Sequence, residues 1–241
     1  MFTTIVIQPL FNAIIYIVNF LPGHQLWVAM VVVTLIFKII LIPLFKKQVR
    51  DQIVLQYLAP KLKALQEKYK DKRDVLAKET LALYAKYKVN VLMSILILFI
   101  QLPFLVGLYQ IFYYDLTSYQ NLLYAGVNFP EIINKSFFGF DLGQKSIILA
   151  VLAAISQYIL GAYMFKKKTK EEEAQETEMV KAMNMQMKYF LPVMIGFISY
   201  ITPSVISLYL IVTNIFGIVQ EVIIKKPLEE KIKKELAEED K

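Results

Sequence analysis

The chain alternates long apolar runs with charged stretches, and the runs are long enough to predict the main elements. Leu26 to Leu44 (LWVAMVVVTLIFKIILIPL) is the clearest. About 20 apolar residues at 1.5 Å rise match a hydrocarbon core of ~30 Å. Together with the runs over 91–113, 146–165, 187–201 and 204–224, the segment 25–44 makes five predicted transmembrane helices, the last two joined by a tight turn at Thr202-Pro203. Tyr109, Phe112, Tyr113 and Tyr114 close the second as an aromatic belt. Residues 1–24 differ: Gln8, Asn12 and Asn19 recur at helical spacing and are read as lying opposite Phe11, Ile14, Ile15 and Val18. That pattern predicts an extracytoplasmic helix lying in the interface, and it leaves a spanning helix over 2–21 as an open alternative. His24, after it, reads as solvated.

The polar segments have patterns of their own. Over 45–90, Leu58, Leu62, Leu65 and Tyr69 precede an Asp71-Lys72-Arg73-Asp74 turn, and Leu76, Leu83 and Tyr87 follow it. This predicts a helical hairpin with facing apolar stripes, its first arm bent or restarted at Pro60. Residues 114–145 read as an extracytoplasmic loop, 166–186 as a charged loop and 225–241 as a polar tail.

Charge orients these elements. The 45–90 segment holds 12 Lys or Arg, 166–186 holds 5 and the tail 6, out of 27 in the chain. The 114–145 loop has only Lys135 and Lys145. Basic residues concentrate on cytoplasmic loops, so the hairpin, second loop and tail are assigned to the cytoplasm and the N-terminus to the outside. The hairpin's excess of basic over acidic residues equals the net charge of +7 of the whole chain. Such a surface suits anionic lipid or the RNA of ribosomes and targeting factors, and equally a plain topology signal. The tail balances 6 bases with 6 acids, so truncation after Lys226 is expected to leave ribosome affinity unchanged.

Composition removes several classes of function. At 57% hydrophobic residues the chain reads as a polytopic membrane protein. With no Cys and one His there is no disulfide framework, thiol nucleophile or His-based metal site, and no cofactor motif appears. Gly139 to Ser146 has a superficial likeness to a phosphate-binding loop, but its spacing is short and Gln144 separates Gly143 from Lys145. No cleavable signal peptide is evident at the start.

The candidate chemistry is Lys38, placed deep in the 25–44 run. A charge there costs about 2.5–3.5 kcal/mol on insertion scales and marks a functional site unless it snorkels. Polar side chains on other helices suggest what solvates it. Thr34 lies one turn away; Asn90, Ser94 and Gln101 form a stripe in the second helix; Gln157 shares a face with Ala153 and Gly161 in the third. In the fifth, Ser207, Thr213, Asn214, Gly217, Gln220 and Glu221 occupy an arc of about 140°. Interhelical hydrogen bonding accounts for any one of these. Stripes on four helices around one ammonium predict a shared cytoplasm-open groove, hydrated because Glu221 is the only carboxylate on the membrane side. Met179, Met183 and Met187, at four-residue steps, offer flexible contacts to a substrate at the cytoplasmic mouth, or ordinary packing.

Taken in order, these pieces resemble the YidC/Oxa/Alb family of membrane protein insertases over nearly the whole chain. The likeness rests on Gln8-Pro9-Leu10, the TLIFKIILIPL run, Ala59-Pro60 with Glu67-Lys68-Tyr69, Leu83-Tyr84 to Val89-Asn90, and Phe99-Ile100-Gln101-Leu102-Pro103. It continues in Ile155-Ser156-Gln157-Tyr158, Pro203, Leu208-Tyr209, Asn214-Ile215-Phe216 and Gln220. The resemblance implies an all-α protein of five spans around a groove closed on the outside, with Lys38 in the position of the family's arginine. Lysine keeps the charge and lacks the planar five-donor fork. Val91 stands where the family commonly has proline, Met93-Ser94-Ile95-Leu96 replaces a Gly-Cys-Leu-Pro segment, and Leu210 replaces a frequent aromatic.

The resemblance further implies a non-enzymatic function, the ATP-independent insertion and folding of nascent membrane proteins. A monomer in a bacterial plasma membrane would carry it out, with the ribosome, the signal-recognition receptor or the Sec translocon as partners and no role for DNA. The rival class is a secondary transporter or channel using Lys38 as an anion site. Such proteins show paired repeats and coupling carboxylates, neither of which is visible here.

Overall fold

A computed structural model describes residues 1–90, 92–164 and 185–239. The architecture is helical, with several helices apolar enough to cross a bilayer. A π-helical turn, Thr3–Ile7, leads into α1, Gln8–Phe20. Phe11, Ile14, Ile15 and Val18 are fully buried, but so is Asn12. The polar stripe therefore runs beside the buried apolar one rather than opposite it. The face opposite is formed by exposed Ile5, Tyr16 and Phe20.

α2, Leu26–Ile40, stops short of the expected end. At Leu41 the chain bends by 54° into α3, Ile42–Lys68. Pro43 supplies the reason, since it lacks an N–H and its ring crowds the carbonyl four residues back. Pro60, the expected break, lies inside α3 without restarting it. α4, Arg73–Lys86, completes the hairpin.

α5, Met93–Tyr113, is followed by a 3-10 turn, Leu116–Leu122, and a short antiparallel pair, β1 (Ser136–Phe137) with β2 (Phe140–Asp141). At the end of α5, Tyr109 stacks on Tyr113, which meets Tyr114 edge-on, whereas Phe112 turns into the core instead of joining that belt. α6 is Ile147–Met164; α7, Leu191–Ile201, follows a π-helical turn, Gln186–Phe190; α8 is Ser204–Gln220. A π-helical turn, Glu221–Lys225, joins α8 to α9, Lys226–Glu239. The expected polar tail is thus a docked helix. Ile232 and Leu236 are buried, and with half-buried Leu228 they pack on Ile53, Val54 and Leu58 of α3 and on Tyr87.

The larger core lies at one end of the bundle. It draws on α2 at Leu26 to Val33, α5 at Phe104 to Phe112, α6 at Leu149 to Ala153 and α8 at Val205 to Leu210, with α1 laid against them. These are the N-terminal ends of α2, α6 and α8 and the C-terminal end of α5. The 114–145 loop caps the same end. Leu26 N–H donates to the Asn134 carbonyl (3.0 Å), Ser204 N–H to Gln144 (2.8 Å) and Val205 N–H to Leu142 (3.0 Å), which satisfies helix-start donors of α2 and α8. On α1, the Gln8 and Asn12 amides donate to the Leu122 carbonyl and the Asn19 amide to Asn128. His24 is half-buried, a ring nitrogen 3.1 Å from the Val18 carbonyl, and not simply solvated.

Candidate functional site

At the opposite end of α2 and α5 the packing changes character. Phe37 stacks on Phe104 with ring centroids 4.1 Å apart, and Phe104 meets Tyr209 at 5.5 Å. This aromatic layer joins α2, α5 and α8. Lys38 follows Phe37 by one residue, and Gln101 precedes Phe104 by nearly one turn, so both side chains sit just beyond the layer. There the Lys38 Nζ donates to Gln101 Oε1 at 3.0 Å. Helix geometry explains the pairing, because residues three or four apart share a face and the layer sets the register of the two helices.

No carboxylate completes the pair. Glu221 is buried but accepts from Lys225 Nζ at 2.6 Å, one turn along its own helix. Among the described residues Lys38 has no acidic partner. Gln101 Nε2 is buried without a hydrogen-bond partner, and so are the hydroxyls of Ser207 and Ser199. The Tyr209 and Thr213 hydroxyls lie near one another without closing a hydrogen bond. Ser199 and Ser207 belong to the packed end, whereas Gln101 adjoins Lys38; buried polar groups ordinarily find partners, so the free Gln101 amide gives the lysine site spare capacity for water or a polar chain.

The remaining expected site residues separate into groups. Thr34 is fully buried and donates its hydroxyl to the Met30 carbonyl of its own helix (2.7 Å). Asn214 is buried and donates to Ser156 Oγ at 2.9 Å, which ties α8 to α6. Ser156 thus faces α8; Gln157 is half-buried on the face it shares with buried Ala153 and Gly161. Gln220 is buried on α8. Asn90 is not in this cluster. Its N–H donates to Asp51 Oδ2 (3.3 Å) and its own side chain accepts from Leu92 N–H (3.0 Å), at the junction of the hairpin with α5. Met179 and Met183 lie outside the described residues, as do the side chains of Ser94 and Met187.

Sequence reasoning passed over Asp51, which is 2% exposed. It pairs with Arg50 at 3.4 Å, whose guanidinium also reaches the Tyr87 and Lys88 carbonyls. Adjacent Arg-Asp at the base of an amphipathic helix was the available signal, though it does not say which carbonyls the fork will meet.

Comparison with known proteins matches residues 17–232 to the family described as 60Kd inner membrane protein. The chain is 33% identical over 219 residues to membrane protein insertase YidC 1 of Listeria monocytogenes, covering 88% of this chain and 68% of that protein. It is 30% identical over 228 residues to membrane protein insertase MisCA of Bacillus subtilis, covering 92% and 78%. For membrane protein insertase YidC of Clostridium tetani the identity is 32% over 210 residues, covering 87% and 86%. With a match that takes in α2 to α8 and the Lys38–Gln101 pair, the chain belongs to the 60Kd inner membrane protein family, the YidC/Oxa/Alb group that its motifs resemble.

Proposed function

We propose that this protein inserts newly made membrane proteins into a bacterial membrane without nucleotide, using a groove that begins at Lys38 and opens toward the cytoplasm. The observation that carries the reading is the asymmetry of the bundle: a packed, loop-capped core at one end, and beyond the Phe37–Phe104–Tyr209 layer a lysine with only an amide for company. The names of its relatives support it, and nothing supports the transporter alternative.

Five spans arise when α2, α5, α6, α7 and α8 cross the bilayer and α1 rests in the outer interface. The hydrogen bonds from Gln8, Asn12 and Asn19 to the 114–145 loop support that placement of α1, although Thr3–Phe20, the π-helical turn and α1 together, is long and apolar enough to cross. The basic hairpin and α9 then lie in the cytoplasm, by the positive-inside rule.

In this scheme a polar N-tail or hairpin of the substrate enters the groove, where Lys38 attracts its acidic residues, while its apolar segment slides into lipid. An apolar residue gains roughly 0.3–0.6 kcal/mol on insertion, so ~20 residues supply about 6–12 kcal/mol without nucleotide. A potential positive outside adds about 2.3 kcal/mol per 100 mV for each negative charge moved outward. The protein lowers the barrier by shortening the dry path that a polar tail must cross. Site-specific photocrosslinking from positions 38, 101 and 213 should capture a nascent membrane protein, with position 108 in the packed core as the silent control. In proteoliposomes Lys38→Ala should lose insertion of acidic-tailed substrates first. Unchanged insertion of every substrate would remove Lys38 from the mechanism.

A further inference from the structure

The loop after α5 carries a turn whose chemistry its fold does not explain. Phe138-Gly139 connects β1 to β2, and both residues have positive φ, 47° and 88°. A two-residue hairpin turn of this kind favours Asn-Gly, and glycine fills the second place as expected. Phenylalanine in the first place is unfavourable on two counts. A bulky side chain in the left-handed region is an outlier. The ring is also 85% exposed, in contact with the Phe137 and Trp27 rings, so it recovers little by burial in the protein. Isoleucine 132 of the same loop is 75% exposed.

The surroundings of the turn fix its depth. Trp27 opens α2, and its ring lies 5.6 Å from Phe137 and 6.2 Å from Phe138. The reading of α2 as a span puts Trp27 at the mouth of the bilayer, the level at which tryptophan sits among headgroups. A ring touching Trp27 and pointing out of the protein shares that level. We infer that Phe138 is a lipid anchor: the tip of the β1–β2 hairpin inserts its ring into the outer leaflet, at the boundary between headgroups and acyl chains. The lipid provides the burial that the protein does not, and a strained backbone held at a tip is a known mark of function.

The anchor acts on the groove through the loop's hydrogen bonds. Asn134, Leu142 and Gln144 accept from the first N–H groups of α2 and α8, and the Ser204 hydroxyl donates to the Asp141 carbonyl at 2.9 Å. Fixing the tip in the leaflet therefore holds the outer ends of two groove-bearing helices at one depth.

The chain's single tryptophan makes the test direct. Trp27→Phe combined with Phe138→Trp moves that fluorophore to the tip. In phosphatidylcholine–phosphatidylglycerol vesicles carrying lipid brominated high on the acyl chain, the tip should lose roughly half its emission, while aqueous iodide has little effect. Iodide quenching without bromolipid quenching overturns the anchor. A tip that neither quencher reaches overturns it too, because a protein face such as a second copy then covers the ring. Bromolipid quenching of native Trp27 in the same vesicles tests the span separately, so an unquenched position 138 beside a quenched Trp27 rejects the anchor and leaves the insertase reading standing. Phe138→Asn, which suits the turn, gives a second reading without moving the fluorophore. Its Trp27 should become more open to iodide, and unchanged quenching argues against a ring shielded together with it.

Discussion

An ammonium within an apolar helix is tolerated only where something other than lipid solvates it. Gln101 provides one hydrogen bond to Lys38, and bonds to charged groups contribute about 1.5–3 kcal/mol. Gln101→Leu is therefore expected to lower stability in detergent by about that amount, because it strands the charge. Lys38→Leu added to Gln101→Leu should restore most of the loss while abolishing insertion of acidic-tailed substrates, since replacing both partners by apolar groups is nearly neutral. Thermal unfolding and proteoliposome insertion read the two effects separately.

In the loop that follows α5, Asp115 accepts from Lys135 at 2.9 Å and from Leu116 N–H at 2.7 Å. The lysine bond holds its carboxyl below the usual carboxylate range, against a smaller opposing effect of burial. A depressed carboxylate stabilises the fold above the unfolded value of about 3.9, and the contribution is lost as pH falls through the lower folded value. Both side chains are partly exposed, so solvent screening keeps the effect small. Asp115→Asn keeps an acceptor for Leu116 and should remove the acid-side loss of amide protection over 116–122, which hydrogen exchange measures.

At the scale of elements, α9 changes how the hairpin is understood. Its buried face repeats at four-residue steps through Leu228, Ile232 and Leu236, and it covers the base of α3. Ile232→Ala should cost about 2–5 kcal/mol of that local packing, seen as faster proteolysis of the hairpin base. Truncation after Lys226 would uncover Ile53 and Leu58, so it disturbs more than the tail's charge. Lys231→Glu with Lys234→Glu alters only exposed positions and should leave ribosome affinity unchanged in a co-sedimentation assay. The spacing of α9 was legible in the sequence. The six acids and six bases of residues 225–241 masked that pattern, because a balanced charged segment has the composition of a solvated tail. The bend at Leu41 was obscured for the opposite reason: Pro43 sits inside an apolar run that length alone assigns to one span.

For the whole molecule the decisive feature is that one end is packed and loop-capped while the other carries Lys38 and Gln101. The absence of cysteine makes this easy to test. Lys38→Cys and Gln101→Cys should react with a membrane-impermeant thiol reagent offered from the cytosolic side, whereas Met30→Cys and Leu108→Cys, in the core, should not. Equal protection at all four positions would remove the groove.

By itself the sequence determined the apolar runs, the concentration of basic residues in particular loops and the isolation of Lys38. Those properties depend on composition along a single segment, and the bilayer imposes them on each helix separately. Only the tertiary structure decided which amide meets the lysine. Gln101, Asn214 and Gln157 offer the same chemistry, and the choice among them follows from the aromatic layer that sets α2 against α5 while Ser156 engages Asn214. It also decided that Asn90 belongs to Asp51, that Thr34 turns back on its own helix, and that the 114–145 loop caps α2 and α8. Pairings between distant segments depend on relative position in space, and no local pattern encodes that.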